Sequence, residues 1–235
     1  MNLARRQQER DDAVITLGGG AFVADPSGAL WCARTSTLVV SDLHLEKGSA
    51  AARRGTLMPP YDTAHTLDAL GGAIARFRPR RVISLGDSFH DDGALGRIAA
   101  RDMTMLAELQ RGRDWLWISG NHDEGLSGVL PGDHADAFVE DGMRFVHIPR
   151  AGQGGAEIAG HLHPCARIQT RAGSLRRRAF VFDGERLVMP AFGAYAGGLN
   201  ARDPAILSLF ARSFSVLALG RERVFAIPPG QCRPD

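Results

Sequence analysis

Cysteine is scarce in this chain of 235 residues, and the three present, Cys32, Cys165 and Cys232, share no Cys-x-x-Cys spacing. That excludes a zinc knuckle and a disulfide framework. Cys165 stands two residues after a histidine of interest, but free cysteine is most often a small buried residue and reads so here. Lysine is scarcer still: of 28 basic residues only Lys47 is a lysine. Alanine and glycine are abundant as well, so the arginine excess reads as codon bias rather than chemistry. Excess charge is also missing. A net of +2 gives no global nucleic-acid signal and leaves any such binding to a local patch. No apolar run approaches the roughly 18 residues of a membrane span. The richest stretch, Ile206 to Gly220, is cut by Arg212 and by Ser208, Ser213 and Ser215. The amino-terminal MNLARRQQERDD is charged and shows no apolar core of a secretory signal, so a cytoplasmic location is expected.

What is present is globular. The chain is 44% hydrophobic with little net charge, which argues against disorder, and its length suits one domain with a sizeable core. One domain over 1–235 is expected, with a solvated arm at 1–12 and a flexible tail at 228–235. AFVADPSGALWCA predicts a hairpin turning at Pro26-Ser27-Gly28. Five short apolar runs then read as strands: Leu38–Val40, Val82–Leu85, Trp115–Ile118, Arg144–Val146 and Glu157–Ala159. Helical spacing fills the gaps between the first three. Thr63 to Phe77 carries Leu67, Leu70, Ile74 and Phe77, with Asp62 or Thr63 as cap, and Ile98 to Leu109 repeats the pattern. LRRRAFVFDGERLVMP predicts a second hairpin at Asp183-Gly184, and strands are expected at Leu207–Phe210, Ser215–Leu219 and Val224–Ile227. The order predicts an α/β start and an antiparallel, α+β-like finish.

The chemistry lies just past the five runs. They end in Asp42-Leu43-His44, Gly86-Asp87, Gly120-Asn121-His122-Asp123, His147 and Gly160-His161-Leu162-His163. Strand ends are where α/β sheets place their sites. Asp42 and His44, two apart on an extended segment, would point the same way and reach one metal ion; His161 and His163 would point the same way too, but could serve two adjacent metals. A lone Asp-x-His is usually surface decoration. Here, however, His44, His90, His122, His147, His161 and His163 all fall at or just past a predicted strand end; only His65 and His134 lie elsewhere.

This ordered set resembles the calcineurin-like metallophosphoesterase superfamily over roughly Leu38 to His163. The resemblance implies a four-layer αββα sandwich with a two-metal site at its strand ends. Asp42, His44, Asp87 and His163 would hold the first ion and Asp87, Asn121, His147 and His161 the second, with Asp87 bridging. Oxygen and nitrogen donors without thiolate suit Mn²⁺, Fe or Zn²⁺ better than Ca²⁺. GDSFHD resembles the form found in DNA-processing nucleases of the superfamily, whereas many of its protein phosphatases carry Asp at the position of His90. SDLHLEKG, GHLHP and PAFGAYAGGLN resemble the bacterial ligase-associated DNA damage response endonucleases. That likeness implies phosphodiester hydrolysis by water activated between two metal ions. It also implies DNA as substrate, and a DNA ligase and a helicase as partners; a homodimer remains open. In a chain of 235 residues, the capping domain of larger superfamily nucleases is not expected.

His122 lies beside Asn121 and would face the substrate without binding metal, protonating the leaving oxygen as an imidazole can near neutral pH. His90, or else Asp123, would orient it. Arg53, Arg54 and Arg176-Arg177-Arg178 are candidates for phosphate contacts, or equally a solvated arginine face. Tyr195 and Asn200, in the glycine-rich PAFGAYAGGLN, would border the cleft or form a structural turn. Three functions compete: a nuclease or phosphodiesterase, a small-molecule or nucleotide phosphoesterase, and a scaffold without catalysis. A scaffold would be expected to lack donors, and none is missing.

Overall fold

A computed structural model describes residues 14–122, 130–152, 154–170, 173–211 and 213–235; the expected arm at 1–12 and Asp123 lie outside the described residues. Val14–Leu17 (β1), Gly20–Ala24 (β2), Leu30–Cys32 (β3) and Thr37–Val40 (β4) form an antiparallel run. Lys47–Arg53 (α1) and Asp62–Phe77 (α2) follow, then Arg81–Leu85 (β5), Ala100–Gln110 (α3), Asp114–Ile118 (β6) and Asp133–Ala135 (β7). From β4 to β7 the strands are parallel, completing a seven-stranded sheet in sequence order.

The second sheet is built from Ala137–Glu140 (β8), Met143–Val146 (β9), Ala156–Ala159 (β10), Cys165–Thr170 (β11), Gly173–Phe182 (β12) and Arg186–Val188 (β13). Pro204–Leu207 (α4), Ser215–Leu219 (β14) and Val224–Ile227 (β15) end the chain. Its strand order is β15-β14-β12-β13-β10-β9-β8, with β11 paired to β12 beside that path. The finish is therefore mixed rather than antiparallel, because β10 lies parallel to both β9 and β13. Between β10 and β13 the chain makes the long β11–β12 excursion, which brings it back in the same direction.

Alternation decides the layers. Ile15, Leu30, Val39 and Ile83 of the first sheet meet Phe145, Ile158, Phe180 and Leu217 of the second in a shared core. The opposite face of the first sheet, with Leu38, Val40, Val82 and Trp117, packs on Leu67, Leu70, Ile74 and Leu106 of α2 and α3. The outer face of the second sheet, with Val181, Val188 and Val216, is covered by Ile206, Leu209 and Phe210. The layering is helix, sheet, sheet, helix, as the αββα expectation has it. The fourth layer is thin: α4 has four residues.

Two local expectations differ. Leu207–Phe210 is not a strand, because Asp203 caps α4 by accepting from the Ala205 amide and Pro204 occupies its first turn. Asp62 and Thr63 do not cap α2. Asp62 accepts from the Gly48 amide at 2.9 Å, while Thr63 accepts from the Glu46 amide and donates to the Glu46 carboxylate, both at 2.9 Å. The start of α2 thus anchors the segment that follows β4. Residues 228–235, expected to be flexible, include a buried Cys232 that bridges Ile168, and the Arg233 amide donates to Arg167 O.

Candidate metal centre

Because β4, β5 and β6 run parallel, their carboxyl ends open at one edge, and β9 and β10 end at the same edge of the facing sheet. The segments beyond are tied together by backbone. Asp42 N donates to Gly86 O, His44 N to Asp87 O and His90 N to Leu45 O, at 2.9–3.2 Å. Across the sheets, the His161 amide donates to Asp42 Oδ2 at 3.0 Å; within the second sheet, the Gly160 amide donates to His147 O at 3.0 Å. Gly86 has φ +71°, and a Cβ there would stand 2.5 Å from the His147 ring; a Cβ on Gly160 would collide with Ser41 Oγ and Asp42. Both glycines are required by close approach.

The Asp42–His44 segment is not extended, so side-chain alternation along a strand is not what brings its two donors together. Asp42, His44, Asp87, His161 and His163 all have positive φ, between 44° and 72°. Each such non-glycine residue costs about 1–3 kcal/mol and persists where surrounding structure over-determines it. The flanking strands supply that structure: all four residues of β4 and four of the five in β5 are buried.

Two groups of donor atoms result, Asp42 with His44 and His163, and Asp87 with His147 and His161. Within each, the atoms lie within 4.8 Å of one another. Asp42 Oδ1 is 3.0 Å from His163 Nε2, which is 3.3 Å from His44 Nε2. His147 Nε2 is 3.0 Å from Asn121 Oδ1 and 3.2 Å from His161 Nδ1. Asp87 stands between the groups, 3.4 Å from His147 Nε2 through one oxygen and 4.0 Å from His44 Nε2 through the other. The rings are aimed from behind: Nδ1 of His147 meets Leu85 O at 2.9 Å and Nδ1 of His163 meets Gly197 O at 3.1 Å. Donating there leaves the Nε2 lone pairs facing inward, as metal-binding imidazoles require.

The electrostatics suit a cation. Burial would raise Asp42, but its hydrogen bond to His163 and the neighbouring His147 and Ser41 hold it below the usual carboxylate range. Burial is likewise outweighed at Asp87, which His147 and the His122 amide hold down at about 2. Burial pushes His44 down to about 3, and burial followed by His147 lowers His161. His147 moves the other way: burial opposes its charge, but Asp87 and Asp42 raise it to about 8. Without metal, a proton on His147 supplies the positive charge that the converging lone pairs demand.

His122 and His90 stand beside these groups rather than in them. His122 is 44% exposed at its side chain, its amide donates to Asp87 Oδ1 at 3.0 Å, and its Nε2 is 3.9 Å from Asp87 Oδ2. The His90 and His122 rings are nearly parallel with centroids 5.6 Å apart, and both lie edge-on to His44. Arg53 and Arg54 are exposed at the end of α1, and the charge of Arg54 bears on His90. Arg176 and Arg178 instead hold the 190–200 loop, donating to Gly198 O and to Ala191 O and Phe192 O. Tyr195 donates to Pro59 O at 3.0 Å. Asn200 is buried, with both ends of its amide engaged by Arg202, Arg233 and Asp235 rather than turned to the donors. Cys165 is buried with its Sγ against His163 O, and burial raises its thiol. Sequence reasoning missed the supports: Ser41 on Asp42, Gly197 O on His163, and the Glu46–Thr63 and Gly48–Asp62 anchors.

The chain belongs to the calcineurin-like phosphoesterase family, whose family model matches residues 35–186, and its class is that of a metal-dependent phosphoesterase. Among solved structures it is similar to Pseudomonas putida nuclease MPE, at 25% identity and a TM-score of 0.70, over 90% of this chain and 98% of that one. Yfce, a phosphoesterase from E. coli, is a looser likeness at 16% identity and a TM-score of 0.42, over 81% of this chain and 96% of that one. A comparison with curated proteins finds no match. Among the described residues no helix is long and apolar enough to cross a membrane.

Family and donor set together define a dinuclear divalent metal centre. Imidazole binds metal only when neutral, so His147, raised to about 8, would have to lose its proton if it takes up a metal ion. Affinity is therefore expected to climb as pH rises towards about 8 and to level above it. Calorimetry at neutral pH in buffers of different ionisation enthalpy should show proton release. A flat affinity without proton release would contradict this view of His147.

Proposed function

We propose that this chain is a phosphodiesterase that cleaves DNA, using two divalent metal ions, Mn²⁺ by preference with Fe or Zn²⁺ as fits to the same donors. The observation that carries the reading is the pair of donor groups with Asp87 between them and His122 half-exposed at their side. Asp42, His44, His163 and Asp87 would hold one ion; Asp87, Asn121, His147 and His161 the other. When bound, the ions supply Lewis-acid charge neutralisation and a water that ionises near neutral pH.

The chain's own residues do the rest. Asp87 presents one oxygen to each group. Leu85 O and Gly197 O keep the His147 and His163 rings from rotating away. His122, anchored through its amide rather than its ring, keeps Nε2 free to protonate the leaving oxygen. His90 packs against its face and limits its rotation. Arg54 and Arg53, exposed near His90, are placed to meet backbone phosphates beyond the scissile one.

DNA as substrate is supported by the likeness to a nuclease and by His90 in GDSFHD. A repair setting in the cytoplasm, with a DNA ligase and a helicase as partners, rests on the resemblance of SDLHLEKG, GHLHP and PAFGAYAGGLN alone. The test is Mn²⁺-dependent turnover of bis(p-nitrophenyl) phosphate, p-nitrophenyl phosphate and plasmid DNA side by side. Diester and DNA cleavage should exceed monoester turnover. A much faster monoester reaction with intact plasmid would favour a small-molecule phosphoesterase.

A further inference from the structure

In a chain whose other basic residues are all arginine, the one lysine sits three residues past His44, at the first position of α1. Codon bias that converts lysine to arginine throughout leaves this residue unexplained. Its backbone is fixed on both sides. The Glu46 amide donates to Thr63 Oγ1, the Gly48 amide donates to Asp62 Oδ2, and a Cβ on Gly48 would stand 2.5 Å from Asp62 Oδ1. Glu46 itself is buried in the left-handed region. Such anchoring fixes the point at which the lysine side chain leaves the backbone, yet among the described residues its ammonium has no hydrogen-bond or ion-pair partner.

The surroundings say where that charge is felt. Lys47 is half-buried, and the chain that leads into it lies against the 88–90 segment: Leu45 O accepts from the His90 amide and the Leu45 amide donates to Ser88 O, both at 2.9 Å, so that its positive charge bears on His90 and on His44 of the first donor group. Asp62 is the carboxylate that bears on it in return, but one Asp62 oxygen already accepts from Gly48. Burial lowers its pKa, as expected of an ammonium without full compensation. An unpaired, partly desolvated cation next to a metal centre is unfavourable until an anion arrives.

We infer that Lys47 is a substrate-binding residue whose ammonium donates to a phosphate oxygen of the substrate on the His44–His90 side of the site. This assignment rests on the phosphodiesterase reading. A lysine suits the position because its compact charge reaches a single oxygen, whereas the planar guanidinium of arginine demands a two-oxygen, bidentate geometry and more room.

The test measures binding as well as turnover. Lys47→Ala, Lys47→Arg and Lys47→Cys are loaded with Mn²⁺, and metal content, Tm, affinity for inorganic phosphate and kcat/KM are recorded for each. Metal content and Tm should match the parent chain. Phosphate affinity and kcat/KM should fall about 10- to 100-fold in Lys47→Ala, the worth of one hydrogen bond between charged groups, and Lys47→Arg should recover little of it. Alkylating Lys47→Cys with bromoethylamine restores an ammonium of nearly native length and should restore both; Cys32, Cys165 and Cys232 are buried and leave the parent unaffected. A loss seen with phosphate and with bis(p-nitrophenyl) phosphate places the contact on the reacting phosphate; a loss seen with DNA alone places it on a flanking one. Parent-like phosphate affinity and parent-like kcat/KM on every substrate in Lys47→Ala would overturn the inference, as would loss of metal in that variant. Failure of the phosphodiesterase reading shows separately, as absence of diester turnover by the parent chain.

Discussion

His122→Gln is expected to retain its metal and to lose turnover by roughly 10²–10⁴ on a substrate with a poor alkoxide leaving group, the usual worth of general acid catalysis. The reasoning is geometric. The His122 ring belongs to neither donor group, and the residue reaches Asp87 through its amide at 3.0 Å, a bond that glutamine keeps. A nitrophenolate leaving group needs little protonation, so the same variant should suffer much less on bis(p-nitrophenyl) phosphate. Equal losses on both substrates would assign His122 to phosphate positioning instead. Loss of metal would make it a donor and displace Asn121 from that role.

Asp87→Ala should be the most damaging single change to the centre. One carboxylate lies 3.4 Å from His147 and 4.0 Å from His44, so its removal withdraws charge from both groups together. It also removes the Asp87 hydrogen bond and charge that, together with Asp42, raise His147. The Lewis-acid contribution lost amounts to several kcal/mol, and at about 1.4 kcal/mol per tenfold the expected fall in kcat is at least about 10³-fold. His161→Ala, which removes a donor from one group only, should lower metal content less. If Asp87→Ala kept full metal and lost only a few-fold in rate, the carboxylate would not be shared.

Much of the site is readable in the sequence because the apolar runs end so abruptly. Val40, Leu85, Ile118, Val146 and Ala159 are strand ends, and the polar residues after them are the ones the structure brings together. Periodicity does not show how they converge. Positive φ at Asp42, His44, Asp87, His161 and His163 is imposed by tertiary packing; Asp and His adopt it more readily than most residues, but nothing local marks which of them will. Long-range use of local signals hides other features. Asp62 and Thr63 look like helix caps, yet they spend their oxygens on Gly48 and Glu46, fourteen and seventeen residues away. The Asp-Pro start of α4 is a legible cap, masked because Leu207–Phe210 reads as an apolar run. Asn200 and Tyr195 sit in a segment that does adjoin the site, since Gly193 N donates to Asp42 O and Gly197 O receives His163. Their own side chains are occupied elsewhere, a distinction that composition does not carry.

Counting the ions tests the shared two-ion centre most directly. Metal-free chain is titrated with Mn²⁺, dialysed, and assayed by elemental analysis alongside anomalous scattering from crystals. Close to two equivalents per chain are expected, one peak beside Asp42, His44 and His163 and another beside Asn121, His147 and His161, with Asp87 between them. A single equivalent at saturating Mn²⁺, with Asn121, His147 and His161 disengaged, would contradict a shared centre.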